Sequence, residues 1–297
     1  MTHKPVLLNE VLDLLKIEAD DIVLDCTVGS GGHGEEICLR LGENGRYIGI
    51  DADKDALDVA EQKLKRIYSN IDLYEGNYRN FERVLDELGI GEIDKIIIDL
   101  GLRMDQITDS GRGFSFMKDE PLVMTFKRSP EENDLTAYEI VNDWNETSLN
   151  DIIGSYGEER YSKRIAKAIV EAREIKPIET TFELIEIIKS AVPEMYKRKK
   201  IHPATKTFQA LRITVNDEIE SLREGLARGF NRVSSGGKIA VISFHSIEDR
   251  IVKRFFKEKG VRKEGRLINK KPVTPDEDEI EKNIASRSAK LRVIEKI

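Results

Sequence analysis

The chain has 297 residues, enough for two ordinary domains or for one domain carrying a large insertion. With 39% hydrophobic and 35% charged residues, no run near the ~18–20 apolar residues of a membrane span and no leader pattern at the N-terminus, it is expected to be a cytoplasmic globular protein. A net charge of −7 excludes a globally basic nucleic-acid binder but leaves room for local basic patches.

In chain order, residues 22–25 and 47–50 are short apolar runs rich in β-branched residues and predict buried parallel strands. Residues 71–74 form a weaker strand candidate, and 95–100 another strong one. Between these runs, Ala56, Leu57, Ala60 and Leu64 keep helical spacing, as do Phe81, Val84, Leu85 and Leu88. Strands alternating with helices in this way indicate an α/β fold with a doubly wound, mostly parallel sheet. From residue 105 to 134 the periodicity fades into a long loop region. Residues 135–213 read as helical throughout, with capping boxes at Thr136/Glu139 and Thr180/Glu183 and an apolar stripe of Ile165, Ala168, Ile169 and Ala172. Val215, Ile219, Leu222 and Leu226 predict one long amphipathic helix. After a turn at Ser235-Gly236-Gly237, residues 238–244 predict a strong strand and 291–295 a last one. The expected organisation is an α/β core from 1–104 and 214–297, interrupted by a helical insert at 105–213.

The first strand runs into Asp25-Cys26-Thr27-Val28-Gly29-Ser30-Gly31-Gly32-His33-Gly34. Glycines here permit positive φ and close approach of a ligand, and the following helix presents free N–H groups. Asp51, twenty residues after Gly31, ends the next strand, where a carboxylate can accept both hydroxyls of a ribose. Taken alone, this pattern also fits a nicotinamide dinucleotide. Asp25 and Asp99 end strands at the same edge, however, and two more carboxylates would repel a pyrophosphate and attract a cation, which favours a sulfonium methyl donor.

At this point the sequence resembles the bacterial 16S ribosomal RNA cytosine-N4 methyltransferase family along nearly its whole length. The matching segments begin with residues 3–8 (His-Lys-Pro-Val-Leu-Leu), the loop from Gly29 to His33, Ile50-Asp51-Ala52-Asp53 and Asp99-Leu100-Gly101. They continue through residues 112–116, 156–160, 201–205, 207–213, 242–246, 248–250 and 286–292. The resemblance implies a methyltransferase core with an inserted helical domain that recognises the substrate. It implies S-adenosyl-L-methionine as cofactor, with Gly31, Gly32, His33, Asp51, Tyr78, Asp99 and Gln106 as its contacts, Tyr78 standing where the family usually has Phe against the adenine. It also implies ribosomal RNA and the small ribosomal subunit as partners. Two segments depart from the family. Gly101-Leu102-Arg103-Met104-Asp105-Gln106 replaces the usual Gly-Val-Ser-Ser-Pro-Gln. Pro121-Leu122-Val123-Met124-Thr125-Phe126-Lys127 replaces the usual Pro-Leu-Asp-Met-Arg-Met-Asp, removing two acids and an Arg from a segment expected beside the target base. An RNA-binding paralogue without activity, or a methyltransferase for another RNA site, are therefore the alternatives.

Methyl transfer to N4 needs acceptors for the amino hydrogens and a base taken out of its stack. Asp99 is the leading candidate to line this site. Asp119 and His245 are further catalytic candidates, and Asp105 and Asp109 weaker ones, with loop capping the competing role for the loop acids. Phe114, Phe116 and Phe126 can stack a base or pack in a core. Arg112, Lys197–Lys200 and the stretch from Arg250 to Lys271, with ten basic and two acidic residues, are candidate phosphate contacts. His202 is expected to shape a turn beside Pro203. The histidines and the two cysteines, Cys26 and Cys38, have no metal-ligand spacing, so no metal is expected and the thiols should be free. A homodimer is a candidate assembly.

Overall fold

A computed structural model describes residues 5–128, 130, 131 and 133–297; His3 and Lys4 of the first matching segment, and the side chain of Asp105, lie outside the described residues. By internal contacts the chain forms two compact units, residues 1–101 with 219–297, and residues 102–218. The insert expected at 105–213 thus compares with an observed unit a few residues longer at each end.

The first unit opens with α1 (Leu8–Leu15), β1 (Ile22–Asp25), α2 (Gly32–Cys38), β2 (Arg46–Asp51), α3 (Lys54–Leu64), β3 (Ile71–Glu75), α4 (Phe81–Glu87) and β4 (Ile93–Asp99). The second contains α5 (Met104–Thr108), α6 (Ala137–Asp143), α7 (Glu146–Ser155), α8 (Ser162–Arg173), α9 (Thr181–Ala191), α10 (Glu194–Lys197) and α11 (Thr205–Val215). The chain then forms α12 (Glu218–Arg232), β5 (Val233–Ser243), α13 (Ser246–Val261), β6 (Gly265–Leu267), α14 (Glu277–Lys282) and β7 (Lys290–Lys296).

The seven strands make one sheet in the order β3-β2-β1-β4-β5-β7-β6. β1 to β5 are parallel, while β7 runs antiparallel to β5 and β6 antiparallel to β7. Alternation along each strand sends side chains to two separate cores, as a sheet covered on both faces requires. Val23, Tyr47, Ile97, Ala240 and Ile242 pack with α1, α2 and α3. Leu24, Ile48, Ile96, Ile98, Ile239 and Val241 pack with α4, α12 and α13. The sheet is therefore doubly wound and mostly parallel, as the sequence predicted.

Three expectations change. The run from Val215 is not one helix: α11 stops at Val215 and α12 starts at Glu218, with Asp217 at φ 47 between them. An L-residue in that conformation breaks the helical hydrogen-bond series, although the apolar spacing runs through the break. The turn predicted at 235–237 is a bulge inside β5, because Val233 already pairs with Ile93 before Lys238 pairs with Lys95. α1, α13, α14 and β6 were not foreseen. α1 is only eight residues long, and its C-terminal carbonyls at Leu14 and Leu15 accept from Lys238 Nζ at 3.0 and 3.1 Å, a distant cap that no local signal announces.

The second unit packs its helices around Ile140, Leu149, Ile153, Ile165, Ile169, Leu184 and Leu211. Both predicted capping boxes are present, at Thr136/Glu139 and Thr180/Glu183. Thr180→Ala should cost the unit about 1 kcal/mol by freeing the N–H of Glu183. Urea unfolding checks this, and an unchanged midpoint contradicts it.

Candidate active site

Three neighbouring strands end in aspartates at one edge of the sheet. Asp25 closes β1, Asp51 closes β2 and Asp99 closes β4, and the strand register sets Asp25 opposite Gly49 and Ile97. Ligands of parallel sheets bind outside these carboxyl ends.

Asp51 ties two turns together. One oxygen accepts from Gly29 N at 2.8 Å and the other from Asp53 N at 2.8 Å. Asp53 in turn caps α3 through Asp55 N. The Asp51 side chain stays partly exposed at the end of β2. The loop it anchors reaches Gly31 at φ +76, a left-handed position where a Cβ would also press on Leu64 and Ala60 at 3.3–3.4 Å. Gly32 then opens α2, with the Pro5 ring so close that a Cβ would come to 2.6 Å. The neighbouring Gly34 leaves room for the Tyr47 hydroxyl.

That hydroxyl donates to Asp25 at 2.7 Å, and Thr27 N donates to the other Asp25 oxygen at 3.0 Å. Asp25 therefore fixes the loop from beneath. The side chain of Thr27 accepts from Asp99 N at 2.7 Å, which couples the loop to the end of β4. Neither Tyr47 nor Thr27 was singled out from sequence. Tyr47 reads as one more apolar strand residue, and Thr27 as filler among glycines.

Asp99 Oδ1 is sealed from solvent and has no hydrogen-bond partner, while the side chain as a whole keeps 24% exposure. Its nearest cationic candidate is His33, whose Nδ1 lies 3.6 Å from Oδ2 and whose Nε2 meets Val6 O at 3.1 Å. Among the described residues no lysine or arginine pairs with Asp25 or Asp99. Burial, then the charges of Asp25 and Glu248, hold the Asp99 carboxyl well above the ordinary carboxylate range. Burial likewise pushes Asp25 up to about 6, against the opposing pull of its Tyr47 and Thr27 hydrogen bonds. Two carboxyls of raised proton affinity without a lysine or arginine partner, one of them with an orphaned oxygen and a partly exposed side chain, fit a positively charged ligand. A partly exposed carboxylate at the end of β2, as Asp51 is, fits the hydroxyls of a nucleoside.

Tyr78 sits in a short 3-10 turn, Tyr78–Asn80, after β3, with its ring against Gly225 of α12, where a Cβ would come to 2.6 Å from it. His245 caps α13: its Nδ1 accepts from Glu248 N at 3.4 Å, while Glu248 Oε2 accepts from Phe244 N at 2.8 Å and His245 N at 3.2 Å. This reciprocal box is visible in sequence as His245 three residues before Glu248, a spacing masked by the unusual cap residue.

Gln106 and Asp119 belong to the second unit. Gln106 is buried and its side-chain oxygen accepts from Arg103 N at 3.1 Å. Asp119 accepts from Phe182 N at 3.1 Å in the first turn of α9. Asp109 accepts from Thr108 and lies 3.5 Å from Lys118. The aromatic residues of the loop pack on one another: Phe114 stacks on Phe126 at 5.9 Å, and Phe116 stacks on His202 at 4.6 Å. His202 also shapes a turn by accepting from Ala204 N.

The departing segment at 121–127 is firmly held. Arg112 Nη1 donates to the carbonyls of Thr125, Phe126 and Lys127 at 3.3, 2.7 and 3.1 Å. Asn216 accepts from Phe126 N and donates to Met124 O, both at 2.8 Å. Met124 is fully buried at φ 55, and Lys127 pairs with Asp134 at 2.6 Å. Cys26 and Cys38 are buried free thiols.

Asp25 gives a pH dependence with a definite sign. Folding raises its pKa from the ordinary ~4, so between about pH 4 and 6 the folded chain holds a proton that the unfolded chain has lost. The contribution of this site is greatest below pH 4 and is lost as pH rises through 6, by roughly 3 kcal/mol for a shift of about two units. Asp25→Asn should therefore gain stability relative to wild type, by roughly 2–3 kcal/mol, between pH 4 and 7. Urea titrations at both pH values check this, and a pH-independent difference between the two proteins contradicts it.

The pattern of the MraW methylase family matches residues 1–297. The chain is 44% identical to "Ribosomal RNA small subunit methyltransferase H" of Clostridium botulinum (strain Kyoto / Type A2), over 99% of each chain. It is 41% identical to the protein of the same name from Clostridioides difficile (strain 630), again over 99% of each. Among solved structures, an rRNA methylase from Streptococcus thermophilus gives a TM-score of 0.45 at 13% identity, over 100% of this chain and 99% of that one. Matched along its full length and more than 40% identical to these curated relatives, the chain belongs to the MraW methylase family.

Proposed function

We propose that the chain transfers a methyl group from S-adenosylmethionine to the N4 amino group of a cytidine in 16S ribosomal RNA, acting on the small ribosomal subunit in the cytoplasm. The observation that carries this reading is the carboxylate edge: a glycine loop and the partly exposed Asp51 beside the buried Asp25 and the partly exposed Asp99, neither paired with a described lysine or arginine and the latter with an orphaned oxygen. The names of the relatives supply the RNA. Among the described residues no helix is long and apolar enough to cross a membrane, which accords with this setting.

The cofactor supplies a methyl group already activated on a sulfonium centre. The protein's own task is then to bind, orient and manage a proton. Asp51 accepts the ribose hydroxyls while holding Gly29 and Asp53 in place. Gly31, Gly32 and His33 let the backbone approach the ligand, and Tyr78 offers its ring near the end of β3. Asp25 and Asp99 provide the negative field that a sulfonium and an ammonium require. The partly exposed Asp99 carboxyl, drawn toward ionisation by the bound cation, is the acceptor for an N4 hydrogen, which localises the lone pair on that nitrogen as the proton leaves. Alignment of the two centres supplies up to ~7–11 kcal/mol of barrier reduction in favourable cases. Gln106 belongs to this proposal through the family resemblance, as a cofactor contact, while Asp119, from its loop, and His245, from its place after β5, are its candidate substrate-side residues.

Labelled methyl transfer to small subunits from a strain lacking the gene tests the reading, with nucleoside mass spectrometry locating the mark. N4-methylcytidine is expected. Donor binding without transfer would instead point to a binding-only paralogue created by the changes at 121–127. Asp51→Ala should weaken donor binding at least tenfold, about 1.4 kcal/mol. Calorimetry checks this, and unchanged affinity removes the ribose role.

A further inference from the structure

α13 begins three residues after β5, at the edge of the sheet that carries Asp99. Asp99 pairs with Ile242 in the sheet, and Leu100 N donates to Ile242 O at 3.0 Å. The helix buries Ile247, Val252 and Phe256 and turns Arg250, Lys253, Arg254 and Lys257 outward, all four exposed. At 100° per residue these four positions, spaced i, i+3, i+4 and i+7, fall within about 100° of one another on the side opposite the buried stripe.

What distinguishes this face is the absence of acids. Many exposed cations elsewhere are neutralised one turn away, as in Arg40–Glu36, Lys54–Asp58, Lys65–Glu61, Arg83–Glu87 and Arg228–Glu224, while among the described residues Lys163 and Arg164 of α8 form only a short unpaired cluster. On α13 the nearest acids are spent on other partners: Glu258 pairs with Arg262 at 2.7 Å, and Asp249 pairs with Arg292 at 2.7 Å and Lys290 at 3.4 Å. Among the described residues Lys253, Arg254 and Lys257 have no carboxylate partner. In a chain of net charge −7, a row of unneutralised cations on one helix face repels itself unless an anion sits on it.

We infer that the outer face of α13 is a track for the RNA backbone, with Lys253, Arg254 and Lys257 each against a phosphate. Lys253, Arg254 and Lys257 start about 10 Å along the helix from its first residue and cover about 6 Å at 1.5 Å per residue, about one nucleotide step, with long side chains that fan toward the phosphates on either side. A single strand whose target nucleotide is drawn to the Asp99 edge would lay its neighbouring phosphates along this row. The contacts position the strand and carry no sequence information. The inference rests on the RNA reading given above and assigns to it a binding face.

The test is the salt dependence of binding to a single-stranded RNA oligonucleotide and to small ribosomal subunits. It compares wild type, the triple variant Lys253→Ala/Arg254→Ala/Lys257→Ala, and Arg83→Ala as a control at an exposed, neutralised arginine. Removing three phosphate contacts should lower the slope of log K against log salt by about 2 and weaken binding about tenfold or more at low salt. Arg83→Ala should leave both unchanged, and calorimetric affinity for S-adenosylmethionine should be the same in all three. A triple variant with the slope of wild type overturns the track and leaves the RNA reading standing. A wild-type protein that binds the donor but neither RNA overturns both.

Discussion

Two buried carboxylates without a cation govern this molecule. Asp25 and Asp99 end adjacent strands; burial lifts the proton affinity of both, the charge of Asp51 adds to it at Asp25 and the charges of Asp25 and Glu248 add to it at Asp99, and neither pairs with any described lysine or arginine. Such an arrangement costs stability in the ligand-free chain. It persists because the surrounding contacts overdetermine it: Tyr47 and Thr27 satisfy Asp25, and Thr27 in turn receives the N–H of Asp99. The same contacts shape the glycine loop, so the feature that strains the edge also builds its binding surface.

The two units divide the work along chemical lines. The first carries the carboxylate edge, and its α13 carries the row of cations. The second is held by helix caps and by the Arg112 and Asn216 hydrogen bonds around the loop at 121–127. The residues that replace the usual acids and Arg of that segment have taken packing and pairing roles: Thr125 is buried, Phe126 stacks on Phe114, and Lys127 pairs with Asp134. If the segment has surrendered catalytic groups, the demand on Asp99 as the remaining proton acceptor is greater.

Much of the fold was legible because its signals are local. Continuous apolar runs marked β1, β2 and β4, and both threonine capping boxes announced their helices. The strands' terminal aspartates and the glycines between them marked the edge. Hidden features depend on partners distant in sequence. The break at Asn216–Asp217 leaves the apolar period intact, so periodicity alone joined α11 to α12. α13 reads as a charge run because its three buried apolar residues are outnumbered by its cations. Tyr47 and Thr27 matter through hydrogen bonds to Asp25 and Asp99, which no spacing rule predicts. Phe114, Phe116 and Phe126 were balanced between stacking and packing, and the structure shows them packed on one another and on His202.

The central claim is that this edge waits for a cation, and it predicts a proton count. At about pH 6 Asp25 is near half protonation, whereas the amino group of a sulfonium donor is already charged. Calorimetric titration of S-adenosylmethionine at pH 6, in buffers of differing ionisation enthalpy, measures protons exchanged on binding. The account predicts net proton release, as the incoming charge draws Asp25 toward ionisation. Binding with no proton exchange, or with uptake, would contradict it.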